Sequence, residues 1–164
     1  MRRLLKEQEY TPPQCNIRID KEGVWYYQGA EMFRREFVNY FYQNLHLDET
    51  GRYVIILPDD RCYVDVEDAV YIINAVDYKR SERGNGKGIN LLLCDETSEA
   101  LDPRTLWIGP DNVMYCRVRE DTFKARFSRA AYYQLAEHIE HDEVQEMFYL
   151  KIDGQHYNIE TKFI

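Results

Sequence analysis

Apolar and polar residues alternate over several short segments of this 164-residue chain, and turn-forming residues separate those segments. Ile17 and Ile19 alternate with polar neighbours, and residues 61–67 show the same alternation. A period of two places successive side chains on opposite faces of a strand, so each segment predicts a strand with one buried face. Turn residues at 21–23 and 58–60 join these strands to their neighbours and predict hairpins.

Two other segments have the period of a helix. A first helix is predicted over residues 34–47, and its apolar face contains Phe37, Val38, Phe41 and Leu45. Ser128 can cap a second helix by accepting hydrogen bonds from backbone amides that have no other partner. The apolar face of this second helix contains Ala131, Tyr132, Leu135, Ala136 and Ile139.

Further strands are predicted from the remaining apolar segments. They are residues 24–27, 53–57, 70–78, 89–94, 114–118, 123–127, 147–152 and 156–159. Residues 79–88 are polar and rich in glycine but lack the spacing of a phosphate-binding loop, so they predict a flexible hairpin loop. Residues 101–110 show neither period and predict irregular structure.

The second half of the chain repeats the element order of the first. When residues 33–35 are placed on residues 127–129, the two helices coincide, and residues 53–67 fall on residues 148–160. The sequence therefore predicts an α+β fold of two tandem similar modules, each ordered strand, strand, helix, strand, strand. We assign residues 1–14 to an N-terminal arm, residues 15–69 to the first module and residues 70–164 to the second. Chance agreement of two common motifs is the alternative.

The chain is acidic, with a net charge of -8, and acidic residues outnumber basic ones in both halves. Neither half is therefore expected to offer a basic surface, and we expect no nucleic-acid partner. The N-terminal apolar segment is too short for a signal peptide. No run approaches the ~18 apolar residues of a membrane span, so we expect no membrane partner.

The four cysteines lie far apart in the sequence, at Cys15, Cys62, Cys94 and Cys116. No two of them form a C-x-x-C pair, so the spacing supports neither a disulfide framework nor a zinc site. We therefore predict four reduced thiols and a cytoplasmic location.

A pattern of residues spread over positions 15–160 resembles the bacterial family called domain of unknown function 1285, or DUF1285. The matching residues are Ile17–Asp20, Gly23, Trp25, Tyr27, Gly29, Arg35, Gly51, Tyr53, Pro58, 64–69, 118–119, 124–126, 129–130 and 132–136. Val70 and Tyr71 stand where the family pattern has proline and phenylalanine, which indicates a distant branch. The resemblance implies two α+β modules with helices packed on antiparallel sheets and a role in signalling, and it brings no catalytic residues.

Asp59, Asp60, Asp65, Glu67 and Asp68 form the densest acidic cluster of the chain. Hard divalent cations need several such oxygens at short range, but alternation along a strand separates these side chains. A solvated strand face is the preferred interpretation, and ligand contact is the alternative. We keep Asp65, Glu67 and Asp68 as candidate ligand-binding residues and predict no metal ligand and no cofactor.

Arg35 and Arg129 occupy matching positions at the beginning of the two predicted helices. Each could pair with a carboxylate in an equivalent place, Glu67 for the first and Glu160 for the second, which is the preferred interpretation. Each could instead bind an anionic ligand through two parallel hydrogen bonds. Both arginines therefore join the candidate ligand-binding residues.

Trp25 and Tyr27 lie beside Gly29 and share one face of their predicted strand. Because aromatic side chains dominate binding hot spots, these two are the best candidates for a recognition surface. Packing of Trp25 into the core is the preferred alternative.

These observations favour a non-catalytic cytoplasmic module that binds or regulates a protein or small-molecule partner. No catalytic signature is present, and whether the chain is an enzyme stays open, with a preference against it. The alternative is a small-molecule or metal-dependent enzyme with its site between the modules, using Asp65, Glu67 and Asp68 with Arg35. A third hypothesis makes the sheet edges an assembly interface of a homo-oligomer.

Overall fold

Strands make up most of the regular structure in the computed structural model, which describes residues 11–80 and 87–162. In chain order the strands are β1 (Gln14–Ile19), β2 (Trp25–Tyr27), β3 (Ala30–Glu31), β4 (Leu45–Leu47), β5 (Tyr53–Leu57), β6 (Asp60–Val66), β7 (Tyr71–Arg80), β8 (Lys87–Leu93), β9 (Ser98–Ala100), β10 (Trp107–Ile108), β11 (Met114–Val118), β12 (Phe123–Phe127), β13 (Ile139–Asp142), β14 (Met147–Ile152) and β15 (Gln155–Thr161). The helices of the described residues are α1 (Arg35–Gln43) and α2 (Arg129–Ala136), with 3-10 turns at Pro103–Thr105 and Pro110–Asn112. The fold is mixed α+β, as predicted.

The strands form two sheets in the described part of the chain. The six-stranded sheet has the order β3-β2-β1-β6-β5-β4, and the nine-stranded sheet has the order β13-β14-β15-β10-β11-β12-β7-β8-β9. The described residues divide into two compact units, the first made of residues 11–18 and 25–65 and the second of residues 19–24 and 66–162. Gly23 belongs to the second unit, where its φ of 82° and its close approach to the Ile72 side chain both require glycine.

The first helix is shorter than predicted and presents a different face to the core. It ends at Gln43, and the residues after it form β4, because Leu45 pairs with Ile55 in an antiparallel ladder. Tyr42 is the buried residue of α1, whereas Phe37 is 51% exposed. The prediction of a helix over residues 34–47 with Phe37 in the core was therefore wrong.

A turn at Asp48 joins β4 to β5. Its Oδ1 accepts hydrogen bonds from the backbone N–H groups of Thr50 and Arg52, both at 2.9 Å, and from the Thr50 hydroxyl at 2.7 Å. Its Oδ2 accepts from the Tyr63 hydroxyl at 3.0 Å. Hydrogen bonds from the Thr50 side chain and the Arg52 backbone favour the ionised form and lower the pKa of Asp48 to about 2.

The stability of this turn should depend on pH through Asp48. Because the folded-state pKa lies below the unfolded value of 3.8, the contribution of the carboxylate is complete above about pH 4 and is lost as the pH falls towards about 2. We expect Asp48→Asn to be less stable than wild type at pH 6 and to lose less stability between pH 4 and pH 2. Urea unfolding over this range measures both. Asp59→Asn, which changes an exposed carboxylate of the same unit, is the matched control, and equal pH slopes for Asp48→Asn and wild type would contradict the prediction.

Cys15 and Cys62 form a disulfide bond between β1 and β6, with their Cα atoms 4.8 Å apart. The prediction of four reduced thiols was therefore wrong for these two residues, whereas Cys94 and Cys116 are free. The sequence did not predict this disulfide, because its cysteines are 47 residues apart and only the order of strands in the sheet makes β1 and β6 neighbours. Because two of the four cysteines are joined in a disulfide, the cysteines no longer support the prediction of a cytoplasmic location.

In the second unit, several elements differ from their predicted bounds. The strands β7 and β8 are longer than predicted, because Lys79 pairs with Gly88 and Arg80 with Lys87. Part of the predicted loop over residues 79–88 is therefore strand. Residues 81–86 of that loop lie outside the described residues. The second helix ends at Ala136, three residues before predicted, because Ile139 begins β13 and pairs with Leu150. Among the described residues, no helix combines the length and apolar character needed to cross a membrane.

Candidate anion-binding site

Alternation along β11 and β12 separates a buried face of the sheet from a basic one. The six apolar residues of the buried face are at most 7% exposed, and they are Met114, Cys116, Val118, Phe123, Ala125 and Phe127. The opposite face carries Tyr115 and Arg117 from β11 and Lys124 and Arg126 from β12, because successive side chains of a strand point in opposite directions. Arg117 pairs with Lys124 and Tyr115 with Arg126 across the two strands.

The register of β10 places Trp107 on the same face as these basic residues. Trp107 pairs with Tyr115 in the antiparallel ladder to β11 and with Glu160 in the parallel ladder to β15. The rings of Trp107 and Tyr115 stack, with centroids 5.3 Å apart and 18° between their planes. Lys162 follows Glu160 by two residues and therefore lies on this face as well.

A cavity of about 540 Å³ opens over this face. Its charged lining contains four basic side chains, from Arg104, Arg117, Lys124 and Lys162, against the two acidic side chains of Asp121 and Glu160. This volume lies within the range of small-molecule sites, roughly 300–1,000 Å³. The site, which we call the basic cavity, therefore has the size for a small ligand and an excess of positive charge.

Two of the basic side chains contact the indole of Trp107 instead of a carboxylate. The Arg117 guanidinium lies 5.8 Å and the Lys162 ammonium 5.1 Å from the ring centroid. Among the described residues, neither group forms an ion pair with a carboxylate. A cation–π contact holds a cation in place without neutralising its charge, so both remain able to bind an anion.

The other two basic side chains of the cavity have carboxylate partners. The exposed Arg104 forms two hydrogen bonds of 2.9 Å with Asp102. The Lys124 ammonium lies 2.7 Å from Asp68 and 4.4 Å from the centroid of the Tyr115 ring. These ion pairs reduce the charge that Arg104 and Lys124 can offer to a ligand, so Arg117 and Lys162 are the main candidates.

Asp68 binds several side chains of this region at once. Besides Lys124, it accepts a 2.8 Å hydrogen bond from the Tyr115 hydroxyl and lies 3.6 Å from the Arg126 guanidinium. Burial, together with the hydrogen bond to Asp68, raises the pKa of Tyr115 to about 12. The phenol therefore stays protonated at neutral pH and acts as a hydrogen-bond donor that orients the carboxylate.

The turn between β11 and β12 forms one rim of the basic cavity through Asp121. Arg119, Glu120 and Asp121 have φ values of 55°, 55° and 64°, in the left-handed region that non-glycine residues rarely occupy. Arg119 is held by Asp95, which lies 2.7 Å away, and its backbone N–H donates to Glu99 at 3.1 Å. These contacts compensate for the unfavourable backbone conformation and keep the rim ordered.

The candidate residues of the first unit do not form one site. Trp25 is 2% exposed and packs against Phe41 and Tyr42 in the core, which is the position that the core-packing alternative predicts. Tyr27 is 49% exposed at the end of β2. Arg35 opens α1 and Asp65 lies on β6, both with exposed side chains.

The candidate residues of the second unit have separate surroundings. Glu67 is exposed and accepts a 3.1 Å hydrogen bond from the Lys21 backbone, whereas Asp68 binds the basic side chains described above. Arg129 opens α2 and lines a second cavity, of about 260 Å³, while Glu160 lines the basic cavity. The predicted pairing of Arg129 with Glu160 was therefore wrong. Within the described ranges, no group of three or more His, Cys, Asp or Glu side chains is arranged to hold a metal ion.

Sequence reasoning missed the basic cavity for two reasons. Net charge averages over the whole chain and hides basic residues that the sheet brings together. Trp107 lies in a segment without a clear period, which predicted irregular structure, and the structure places it in the two-residue strand β10. The available signal was the alternation that assigns Arg117 and Lys124 to the polar faces of predicted strands.

Comparisons with known proteins show a similarity to one family over the first part of the chain. Residues 8–69 match the model of the N-terminal domain of domain of unknown function 1285. A DUF1285 family protein from Silicibacter pomeroyi has a similar structure, with a TM-score of 0.73 and 22% identity, over 91% of this chain and 83% of that chain. A second, from Shewanella baltica, has a TM-score of 0.60 and 24% identity, over 74% and 90%. No curated protein matches the sequence.

Proposed function

We propose that this chain is a non-catalytic binding module that holds a small organic anion in the basic cavity. The proposal rests on the chain's own residues, because residues 8–69 match a domain of unknown function. The observation that carries this proposal is the pair Arg117 and Lys162, two cations in a cavity of about 540 Å³ whose described contacts are with an aromatic ring. The overall charge of -8 makes such a cluster unexpected on this surface.

The energetics indicate that these two side chains serve to bind a ligand and contribute little to folding. An exposed cation–π contact contributes about 0.5–1 kcal/mol, so it positions the cation at little benefit to folding. A charge-assisted hydrogen bond to a ligand contributes more, about 1.5–3 kcal/mol before losses to solvent. Arg117 and Lys162 are exposed, so screening by salt reduces this contribution, and we expect moderate affinity that falls as ionic strength rises.

Binding of an organic anion can be followed through Trp107. The chain has two tryptophans, and Trp25→Phe leaves Trp107 as the only one. Titration of this variant with citrate at constant ionic strength should change the Trp107 fluorescence in a saturable way. Arg117→Gln or Lys162→Gln in the same background should weaken binding about tenfold, the effect of losing one charge-assisted hydrogen bond.

Two further variants test whether the charge of the cavity itself matters. Lys151→Gln, which removes an exposed positive charge from β14 outside the cavity lining, should leave citrate binding unchanged. Glu160→Gln removes a negative charge from the lining and should strengthen binding. If all four substitutions have the same effect, or if citrate does not bind, the proposed function is wrong.

We also propose that the two units are related as tandem repeats. In its favour, α1 is followed by the antiparallel meander β4-β5-β6, and α2 is followed by the meander β13-β14-β15. The signalling role implied by the family resemblance fits a module that binds a small anion and passes that signal to a partner. The cytoplasmic location and the existence of a protein or small-molecule partner stay predictions.

A further inference from the structure

The backbones of the two cationic residues at Trp107 lie on opposite sides of it along the strand direction. Arg117 lies beside Thr105, two residues before Trp107, and its backbone N–H donates to the Thr105 hydroxyl at 3.1 Å. Lys162 lies on the other side, where its backbone N–H donates to the Ile108 carbonyl at 2.8 Å. The two side chains therefore start from opposite directions along β10 and reach the same indole.

The distances to the indole limit how far apart these charges are. Because they lie within 5.8 Å and 5.1 Å of the same ring centroid, no more than about 11 Å separates them. Charge-assisted hydrogen bonds to a carboxylate are short, about 2.7–2.9 Å. A ligand with one negative group at each end could therefore engage both cations, while its middle lies against the indole.

The absence of ion pairs at two of the cations fits the same kind of ligand. Arg104 and Lys124 are paired with Asp102 and Asp68, so Arg117 and Lys162 are the two cations of the lining that form no ion pair among the described residues. A dianion can bind both of them, whereas a monoanion binds one. Asp121 and Glu160 also line the cavity, so the carboxylates of the ligand must lie against the cations and away from these two side chains. Since aromatic faces favour apolar contact, the part of the ligand between its charges should be apolar.

Building on the proposed function, we infer that the ligand of the basic cavity is an organic dianion whose two carboxylates are separated by an apolar chain or ring. Arg117 binds one carboxylate and Lys162 binds the other. Trp107 supports the apolar body between them. The site should therefore distinguish dicarboxylates by their length, because a ligand that is too short reaches only one of the two cations.

The test compares anions that differ in charge number and in length, in the Trp25→Phe protein at constant ionic strength. Hexanoate carries one carboxylate, whereas succinate, adipate and suberate carry two at increasing separation, and inorganic phosphate is a compact anion. We expect one dicarboxylate length to bind at least about tenfold more tightly than hexanoate and phosphate. Arg117→Gln and Lys162→Gln should each reduce binding of that dicarboxylate to the level of hexanoate, and Lys151→Gln should not.

The outcomes separate this inference from the proposed function. If hexanoate binds as tightly as every dicarboxylate and Arg117→Gln weakens both, an anion site exists but the dianion inference is wrong. If phosphate binds most tightly, the separated-charge arrangement is wrong. If none of the anions changes the Trp107 fluorescence or gives heat in calorimetry, both the inference and the proposed function fail.

Discussion

Replacing Trp25 with alanine should lower the free energy of unfolding by about 3–5 kcal/mol, the usual cost of deleting a buried tryptophan. The side chain is 2% exposed and contacts two aromatic rings of α1, with its centroid 6.1 Å from that of Phe41 and 4.9 Å from that of Tyr42. Alanine would leave a cavity between the sheet and this helix. Urea unfolding followed by far-UV circular dichroism measures the loss, because this signal does not depend on the deleted fluorophore.

Trp25→Phe is the control that separates packing from hydrogen bonding. The indole Nε1 of Trp25 is buried and has no hydrogen-bond partner in the part of the chain that the structure describes. An unsatisfied buried donor costs about 1–3 kcal/mol, so removing it offsets much of the loss from a smaller ring. We expect Trp25→Phe to cost less than about 2 kcal/mol. A loss as large as that of Trp25→Ala would show that the N–H group has a partner and would contradict this account.

Loss of the disulfide between Cys15 and Cys62 should have the second largest effect. The two cysteines are separated by 47 residues, and a crosslink that closes a loop of this length restricts the unfolded chain. Its removal typically costs about 2–4 kcal/mol. Urea unfolding with and without reductant measures the difference. The double variant Cys15→Ser/Cys62→Ser should match the reduced wild type and should not respond to reductant.

Counting thiols tests the disulfide directly. Wild type that is denatured without reductant should show two reactive thiols, from Cys94 and Cys116, and four after reduction. Four thiols without reductant would mean that the bond is absent from the purified protein. A stability difference between reduced wild type and the double variant would mean that the serine substitutions act through packing instead of through the crosslink.

Local patterns predicted most strands correctly because they depend on neighbouring residues alone. The apolar segments 114–118 and 123–127 were predicted as strands, and the structure has them as β11 and β12. The same reasoning failed for the end of α1, where helical periodicity extended through Leu45. The structure places this residue in β4, because pairing with Ile55 replaces the last turn of the helix.

The basic cavity depends on contacts that no local pattern contains. Trp107 lies in a strand of two residues, too short to show alternation, and one of its two neighbours, β15, comes from a distant part of the sequence. The register of these pairings brings Arg117 and Lys162 to the same indole. Asp68 was a candidate from sequence as part of an acidic cluster, but its role in binding Lys124 and Tyr115 follows from tertiary contacts.

The sequence by itself determined the α+β class and most of the strands. Only the tertiary structure decided which strands from distant parts of the sequence are neighbours, and with them the Cys15–Cys62 disulfide and the site around Trp107. The physical reason is the range of the interactions. Alternation is set by the geometry of a single strand, whereas strand order and register are set by packing of the whole sheet.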